Sequence, residues 1–231
     1  MCGRVYLYSD PAEIARYTGA KGPTPNVEAG EMDVAPTDDL TVLIFDKASG
    51  ERRQVRMKFG LIPPWAKDWK KDSVRTFNAK SETITELPSF KPAWNAGRRG
   101  LVITNGWYEW EKDAKGKTKQ RYALFRTNEK FTCFACIWNV GTHDGQTIHS
   151  AAIVTTVPNA MVESFHNRMP VLIEEKDWPK WLGEEAATEP ELLAMLRPFP
   201  PEKMTMTPVK RAMPKRGGGP LDLEPAPETF L

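Results

Sequence analysis

Residues 40–59 read LTVLIFDKASGERRQVRMKF. The β-branched and aromatic run 40–46, the turn residues Ala48-Ser49-Gly50 and the second run 52–59 predict a β-hairpin. The next stretch, GLIPPWAKDW (60–69), carries two adjacent prolines. Proline lacks a backbone donor and fixes φ, so this stretch is a rigid loop rather than a helix or a central strand. Upstream, GRVYLY (3–8) reads as a strand and DPAEIARY (10–17) as a short helix. Ser9 or Asp10 caps that helix, Pro11 suits its first turn and Gly19 stops it. Downstream, 99–105, 106–112 and 121–126 are strand-like. The runs 131–138 and 148–156 read as buried strands joined through 141–145. Helices are predicted at 158–165, 175–182 and 188–196. Asp177 can cap the second, and Thr188 with Glu191 forms a capping box for the third. The reading is α+β: a single β-rich domain over 1–210, with a curved, barrel-like mixed sheet flanked by short helices. Residues 211–231, with a Gly run and scattered prolines, predict a disordered tail.

The chain of 231 residues is long enough to bury a core without disulfides or metals. No apolar run approaches the roughly 18 residues of a membrane span, and the start MCGRVYLYSD lacks a secretory signal's basic and apolar regions. With three cysteines there is no disulfide framework, and a cytoplasmic location is expected. The net charge of +2 hides an asymmetry: residues 1–46 hold 3 basic and 8 acidic groups, and 47–130 hold 20 and 9. A basic middle between acidic flanks fits a nucleic-acid footprint, or merely solvated loops and hairpins.

Cys133 and Cys136 have redox or zinc spacing but lie in an aromatic-rich strand. Residues three apart on a strand face opposite ways, so the thiols diverge, and no second pair completes a metal site. No metal and no cofactor are expected. Cys2 differs. Initiator methionine is normally removed before a small second residue, which leaves an α-amine and a thiol on adjacent carbons. An α-amine titrates near 7.7–8.0 against about 10.4 for lysine, so roughly a third is unprotonated at pH 7.5. Such an amine attacks aldehydes, and the thiol then closes a durable five-membered thiazolidine. Alternatively the thiol attacks an amide carbonyl with the amine as base, as in N-terminal-nucleophile hydrolases.

MCGR (1–4), Asp33-Val-Ala-Pro36, GLIPPWAKD (60–68), Asn78-Ala-Lys-Ser-Glu-Thr83, NGWYEW (105–110), IVTTVPNA (153–160) and FHNRMPVLI (165–173) occur in this order. The ordered set resembles the SOS-response-associated peptidase (SRAP) family over roughly residues 2–210. The resemblance implies that Cys2 links covalently to the ring-opened aldehyde of an abasic site in single-stranded DNA. It implies that Asn78 orients the Cys2 amine, that Glu109 shuttles protons, and that His166 donates a proton to the sugar ring oxygen. It further implies that Arg4 and Lys80 contact phosphates, that Trp65 is a base-stacking wedge, and that Pro36 lies on the other wall of a DNA cleft. Without the resemblance each of these residues has an ordinary structural reading as a cap, a turn or a packed side chain. Three departures bear on the DNA contacts. Lys80 stands where the family usually has Arg, Asp33 where Asn is common, and Ile103-Thr104-Asn105 replaces the usual Pro-Ala-Asp. Two rivals stay open: a thiol peptidase acting through Cys2, Glu109 and His166, and a single-strand-binding module in which Cys2 is incidental.

Overall fold

The computed structural model describes residues 2–22, 31–112, 115–116, 118–143 and 145–209. The expected tail at 211–231 lies outside the described residues. In chain order the elements are β1 (Val5–Leu7), α1 (Pro11–Thr18), β2 (Glu31–Val34), β3 (Asp39–Asp46), β4 (Glu51–Phe59), α2 (Trp69–Ser73), β5 (Asn78–Lys80), α3 (Lys91–Asn95), β6 (Arg99–Thr104), β7 (Gly106–Lys112), β8 (Thr118–Arg126), β9 (Thr132–His143), β10 (Gln146–Thr156), β11 (Met169–Pro170), α4 (Trp178–Leu182), α5 (Glu189–Ala194) and β12 (Met204–Val209).

The hairpin β3–β4 forms as its sequence dictates, in register from Asp39↔Lys58 to Asp46↔Glu51. It becomes part of a closed ring. β4 runs parallel to β10, β10 antiparallel to β9, β9 antiparallel to β6, and β6 antiparallel to β3. Closure leaves none of the five strands as an open edge. A second sheet, ordered β12-β8-β7-β1-β2, packs beside this mixed barrel. Strand alternation gives the ring two apolar faces. Leu43, Leu101, Ala135 and Ala152 join the cluster that holds Trp94, Trp178 and Trp181 of the short helices. Val42, Val102, Phe134, Ala151 and Ile153 join the cluster that holds Val5, Trp107 and Leu124 of the second sheet. Cys133 falls in the first cluster and Cys136 in the second, so the two thiols lie on opposite faces. The helix indoles are buried with their N–H groups satisfied: Trp181 donates to the Gly100 carbonyl at 2.8 Å and Trp178 to that of Ile173 at 3.0 Å.

The capping chemistry of α1 and α5 holds as read. Asp10 accepts from the Glu13 N–H, and Thr188 with Glu191 makes a full capping box. The second expected helix starts as a 3-10 turn and becomes α4 only at Trp178; Asp177 makes no side-chain cap bond there. The expected helix at 158–165 does not form. The Asn159 side chain accepts from the N–H groups of Met161 and Val162 and donates to the Phe199 carbonyl at 2.6 Å. That buried amide holds the stretch in turns. Strands β9 and β10 also run further than read, to His143 and from Gln146.

One arrangement positions everything that follows. β4 pairs with β10 at Ser150–Ala151, and β5 then takes over as its parallel neighbour, with Ile153↔Asn78 and Thr155↔Lys80. Residues 60–77 are therefore an excursion between two strands that dock successively on β10. Gly60 starts the excursion at φ +130°, where an added Cβ would fall inside the Ser73 carbonyl, so only glycine fits. The Ile62 N–H donates to Ser150 Oγ at 2.9 Å, and Asn139 Nδ2 donates to the Ile62 carbonyl at 2.9 Å. These bonds fix the base of the loop.

Candidate active site

Cys2 precedes β1, which pairs with β7 through Val5↔Trp107. Trp107 and Glu109 lie two apart on β7 and share the face turned toward the barrel. Trp107 packs edge-on against Phe134 at 5.5 Å, and Glu109 is 4% exposed. Cys2 is fully buried in the same region, beside Val5, Met57 and Phe59 in one apolar cluster. The N-terminal segment is thus drawn into the seam between barrel and second sheet. Burial pushes the Cys2 thiol well above its usual range, and the negative charge of Glu109 raises it further.

Asn78 opens β5 and reaches across to Cys2. Its Nδ2 donates to the Cys2 carbonyl at 3.2 Å and to the Phe77 carbonyl at 3.1 Å. The expected contact was with the Cys2 amine; the structure shows it with the carbonyl. In this chain Met1 precedes Cys2, so the Cys2 nitrogen is a peptide nitrogen. Asn78 Oδ1 is buried with no hydrogen-bond partner among the described residues. A buried orphan acceptor of this kind is costly unless a donor arrives.

His166 comes in from the other side of β10. Strand β11 pairs with β10 at Thr155↔Pro170, just beyond the last β9 pairing. The segment before it is tied by Arg168, which donates to both Glu82 carboxylate oxygens, at 2.6 and 2.8 Å, and to the Thr155 carbonyl at 2.6 Å. Arg168 holds the Glu82 carboxyl well down, at about 2, through that charged hydrogen bond. Phe165 packs against Tyr122 with ring centroids 4.9 Å apart and planes tilted by 59°, and Tyr122 is the cross-strand partner of Glu109. The Arg168 N–H donates to His166 Nδ1 at 3.0 Å, so in the neutral ring Nε2 carries the proton. The structure thus gathers Cys2, Asn78 and Glu109 at one seam and brings the His166 segment to the neighbouring strand.

The four expected DNA contacts lie on the segments next to these elements: the lead-in to β1, the turn after β2, the 60–77 excursion and the end of β5. Trp65 is 55% exposed at the tip of the 60–77 excursion, with Lys67 and Lys70 exposed beside it. Pro36 is half-buried in a turn in which Thr37 adopts φ +83°. The Thr37 N–H donates to the Phe59 carbonyl at 2.8 Å, which sets this turn against the root of the Trp65 loop. Lys80 is exposed and lacks an ion-pair partner among the described residues. Arg4 is different: its Nη1 donates to Asp33 Oδ2 at 2.8 Å.

Sequence reasoning missed two cross-chain ties, Glu82 to Arg168 and Asp33 to Arg4. Each residue stood in a quoted motif or beside one. The pairings span 86 and 29 residues and carry no local signal. Among the described residues no cluster of His, Cys, Asp or Glu could hold a metal ion, and no helix is long and apolar enough to cross a membrane.

A family model described as SOS response associated peptidase (SRAP) matches residues 1–216. The chain belongs to the SRAP family. Among curated SRAP-like relatives, the abasic site processing protein YoqW of Bacillus subtilis is 32% identical over 209 residues, covering 88% of this chain and 90% of its own length. The abasic site processing protein HMCES of Xenopus tropicalis is 27% identical, covering 90% of this chain and 73% of its own. A solved structure from Bacteroides thetaiotaomicron superposes with TM-score 0.82 at 21% identity, over 91% of this chain and 93% of that one. A second, from Bordetella bronchiseptica, gives 0.77 at 23%, over 90% of this chain and the whole of that one. These neighbours share the fold of this chain.

Proposed function

We propose that this chain processes abasic sites by capturing them covalently, in single-stranded DNA, through the aminothiol of Cys2. The observation that carries the reading is the burial of Cys2 with Glu109, beside an Asn78 carbonyl oxygen that lacks a donor. Removal of Met1 frees the Cys2 amine, whose N–H groups suit that orphan acceptor. In this scheme His166 delivers a proton to the sugar ring oxygen while the Glu109 carboxylate takes the proton of the anomeric hydroxyl, and the deoxyribose opens to its aldehyde. The neutral amine adds to the C1′ carbon, a proton passes through Glu109 to the hydroxyl, water leaves, and an iminium remains. The thiol sulfur then adds to the iminium carbon, its proton goes to Glu109, and a thiazolidine closes. One water is lost and no oxidant is needed.

The raised thiol favours this order over a peptidase reading. A thiol peptidase attacks as a thiolate, and burial beside a carboxylate disfavours that form. An amine-first route needs the sulfur only after the aldehyde carbon is already held. Arg4 and Lys80 serve as phosphate contacts, with Trp65 and Pro36 as the two walls of the strand's path. One unit over residues 1–210 carries the chemistry without metal or cofactor, in the cytoplasm and on the nucleoid when DNA is bound.

The test is to mix the protein with a single-stranded oligonucleotide bearing one abasic site and to run a denaturing gel after heating. A shifted, heat-stable band supports covalent capture. Peptide fragments without a shifted band support the peptidase, and neither product supports a binding module. Trp65→Ala is expected to weaken binding of an undamaged single strand by about 1–3 kcal/mol, the range for one base stacked on an aromatic ring. Fluorescence anisotropy at fixed salt reads this, and wild-type affinity in the variant would remove Trp65 from the interface.

A further inference from the structure

Arg4 is not a bare cation. Its Nη1 meets Asp33 Oδ2 at 2.8 Å, with the arginine side chain 39% exposed and the aspartate 7% exposed. Asp33 Oδ1 is buried with no hydrogen-bond partner among the described residues. The carboxylate therefore meets Arg4 through one oxygen while its other lies in protein. Close by is a second guanidinium, Arg121, 3% exposed and stacked 4.6 Å above the Tyr108 ring. Asp33 is among the charges that act on it. Two arginines and one carboxylate thus form a cluster on the lead-in to β1, on β2 and on β8, with Arg4 two residues from the nucleophile, and only Arg4 of the pair reaches solvent.

We propose that Asp33 is a built-in competitor for Arg4: its carboxylate occupies the guanidinium that would hold a substrate phosphate and so lowers affinity for single strands in general. This rests on the reading of Arg4 as a phosphate contact. A phosphate arriving at Arg4 either displaces the carboxylate, which then loses its direct ion pair and keeps only the field of Arg121, or sits beside it as a second anion. Both disfavour binding. The weakening applies to every single strand alike, damaged or not. Retention on a lesion comes from the covalent bond, which ordinary DNA cannot form. Asp33 thereby shifts the balance from general single-strand binding toward stable capture at aldehydes.

The experiment uses undamaged oligo-dT and measures affinity against salt for wild type, Asp33→Asn, Arg4→Ala and the double variant. Asp33→Asn is expected to bind about two- to fivefold tighter at low salt, the span of one released ion pair with a solvent-exposed partner. Its log affinity against log salt should steepen by about 0.7, one further phosphate neutralised on a single strand. The gain should vanish in the Arg4→Ala background. Asp33→Ser, which removes the charge with a different shape, should move affinity and slope the same way, and Asp33→Glu should restore wild-type values. Unchanged or weaker binding by both Asp33→Asn and Asp33→Ser, with Arg4→Ala still weakening it, overturns the competitor role and leaves the phosphate role of Arg4 standing. Unchanged affinity and slope in Arg4→Ala overturns the phosphate role, and the competitor role with it.

Discussion

Cys2→Ala is expected to abolish the heat-stable adduct with an abasic single strand while leaving affinity for undamaged strands within about twofold, since a surface-distant substitution that removes no phosphate or stacking contact changes little. Cys2 contributes an amine and a thiol to the reaction but no charge to the strand's path. The proposed binding groups, Arg4, Trp65 and Lys80, sit on β1's lead-in, the 60–77 excursion and the end of β5. Alanine keeps the α-amine, so an iminium can still form, and borohydride should trap it as a stable secondary amine. Cys2→Ser should behave in the same way, because a hydroxyl closes a far less durable ring than a thiol. The separation between trapped and untrapped gels is what distinguishes an aminothiol from a lone thiol nucleophile. A Cys2→Ala protein that forms wild-type levels of heat-stable adduct without borohydride would remove the sulfur from the chemistry.

Glu109→Gln is expected to slow adduct formation by about 10²–10⁴-fold, the usual contribution of a positioned acid–base group. Glutamine keeps the shape of a side chain that is 4% exposed in the seam, so the barrel and second sheet should remain intact. What it removes is the proposed proton carrier shared by carbinolamine dehydration and thiol addition. It also removes the negative charge that raises the Cys2 thiol, so the thiol of the variant should titrate lower than in wild type. These two consequences oppose each other in the ring-closing step, whereas dehydration feels only the loss of the proton carrier. Quenched time courses with and without borohydride separate them: trapped iminium should appear slowly, and thiazolidine should follow it without further delay. In the proposed scheme the same carboxylate lies on the reverse path, so preformed adduct should also be released more slowly. Formation and release at wild-type rates would assign Glu109 to packing alone.

Much of the scaffold was legible in local sequence. The hairpin at 39–59 carries its own turn, and Asp10, Thr188 and Glu191 carry their own caps. The exposure of Trp65 followed from Pro63 and Pro64, which deny the loop any sheet or helix to bury it in. What could not be read are segments that exist only because a distant neighbour receives them. β5 is three residues long and is a strand because β10 continues past β4. β12 completes the second sheet against β8, about 80 residues earlier in the chain. The helix expected at 158–165 failed for a related reason, since the carbonyl that anchors Asn159 belongs to Phe199. The site shows the same division. Glu109 and Trp107 were placed on one face by alternation alone. The meeting of Asn78 with Cys2, the tether of Arg168 to Glu82 and the pairing of Arg4 with Asp33 are products of the closed fold.

The central claim is that the α-amine of Cys2, and not its thiol alone, makes the first bond. Any residue retained ahead of Cys2 turns that amine into an amide nitrogen, which has no basic lone pair, while the thiol stays chemically intact. The direct measurement is intact mass after reaction with an abasic oligonucleotide and nuclease trimming, for the native N-terminus and for a form with an uncleavable extension before Cys2. The account predicts that the reactive native protein lacks Met1 and gains the mass of the trimmed lesion less one water, whereas the extended protein gains nothing. An extended protein that stays full length and still acquires the lesion would contradict it.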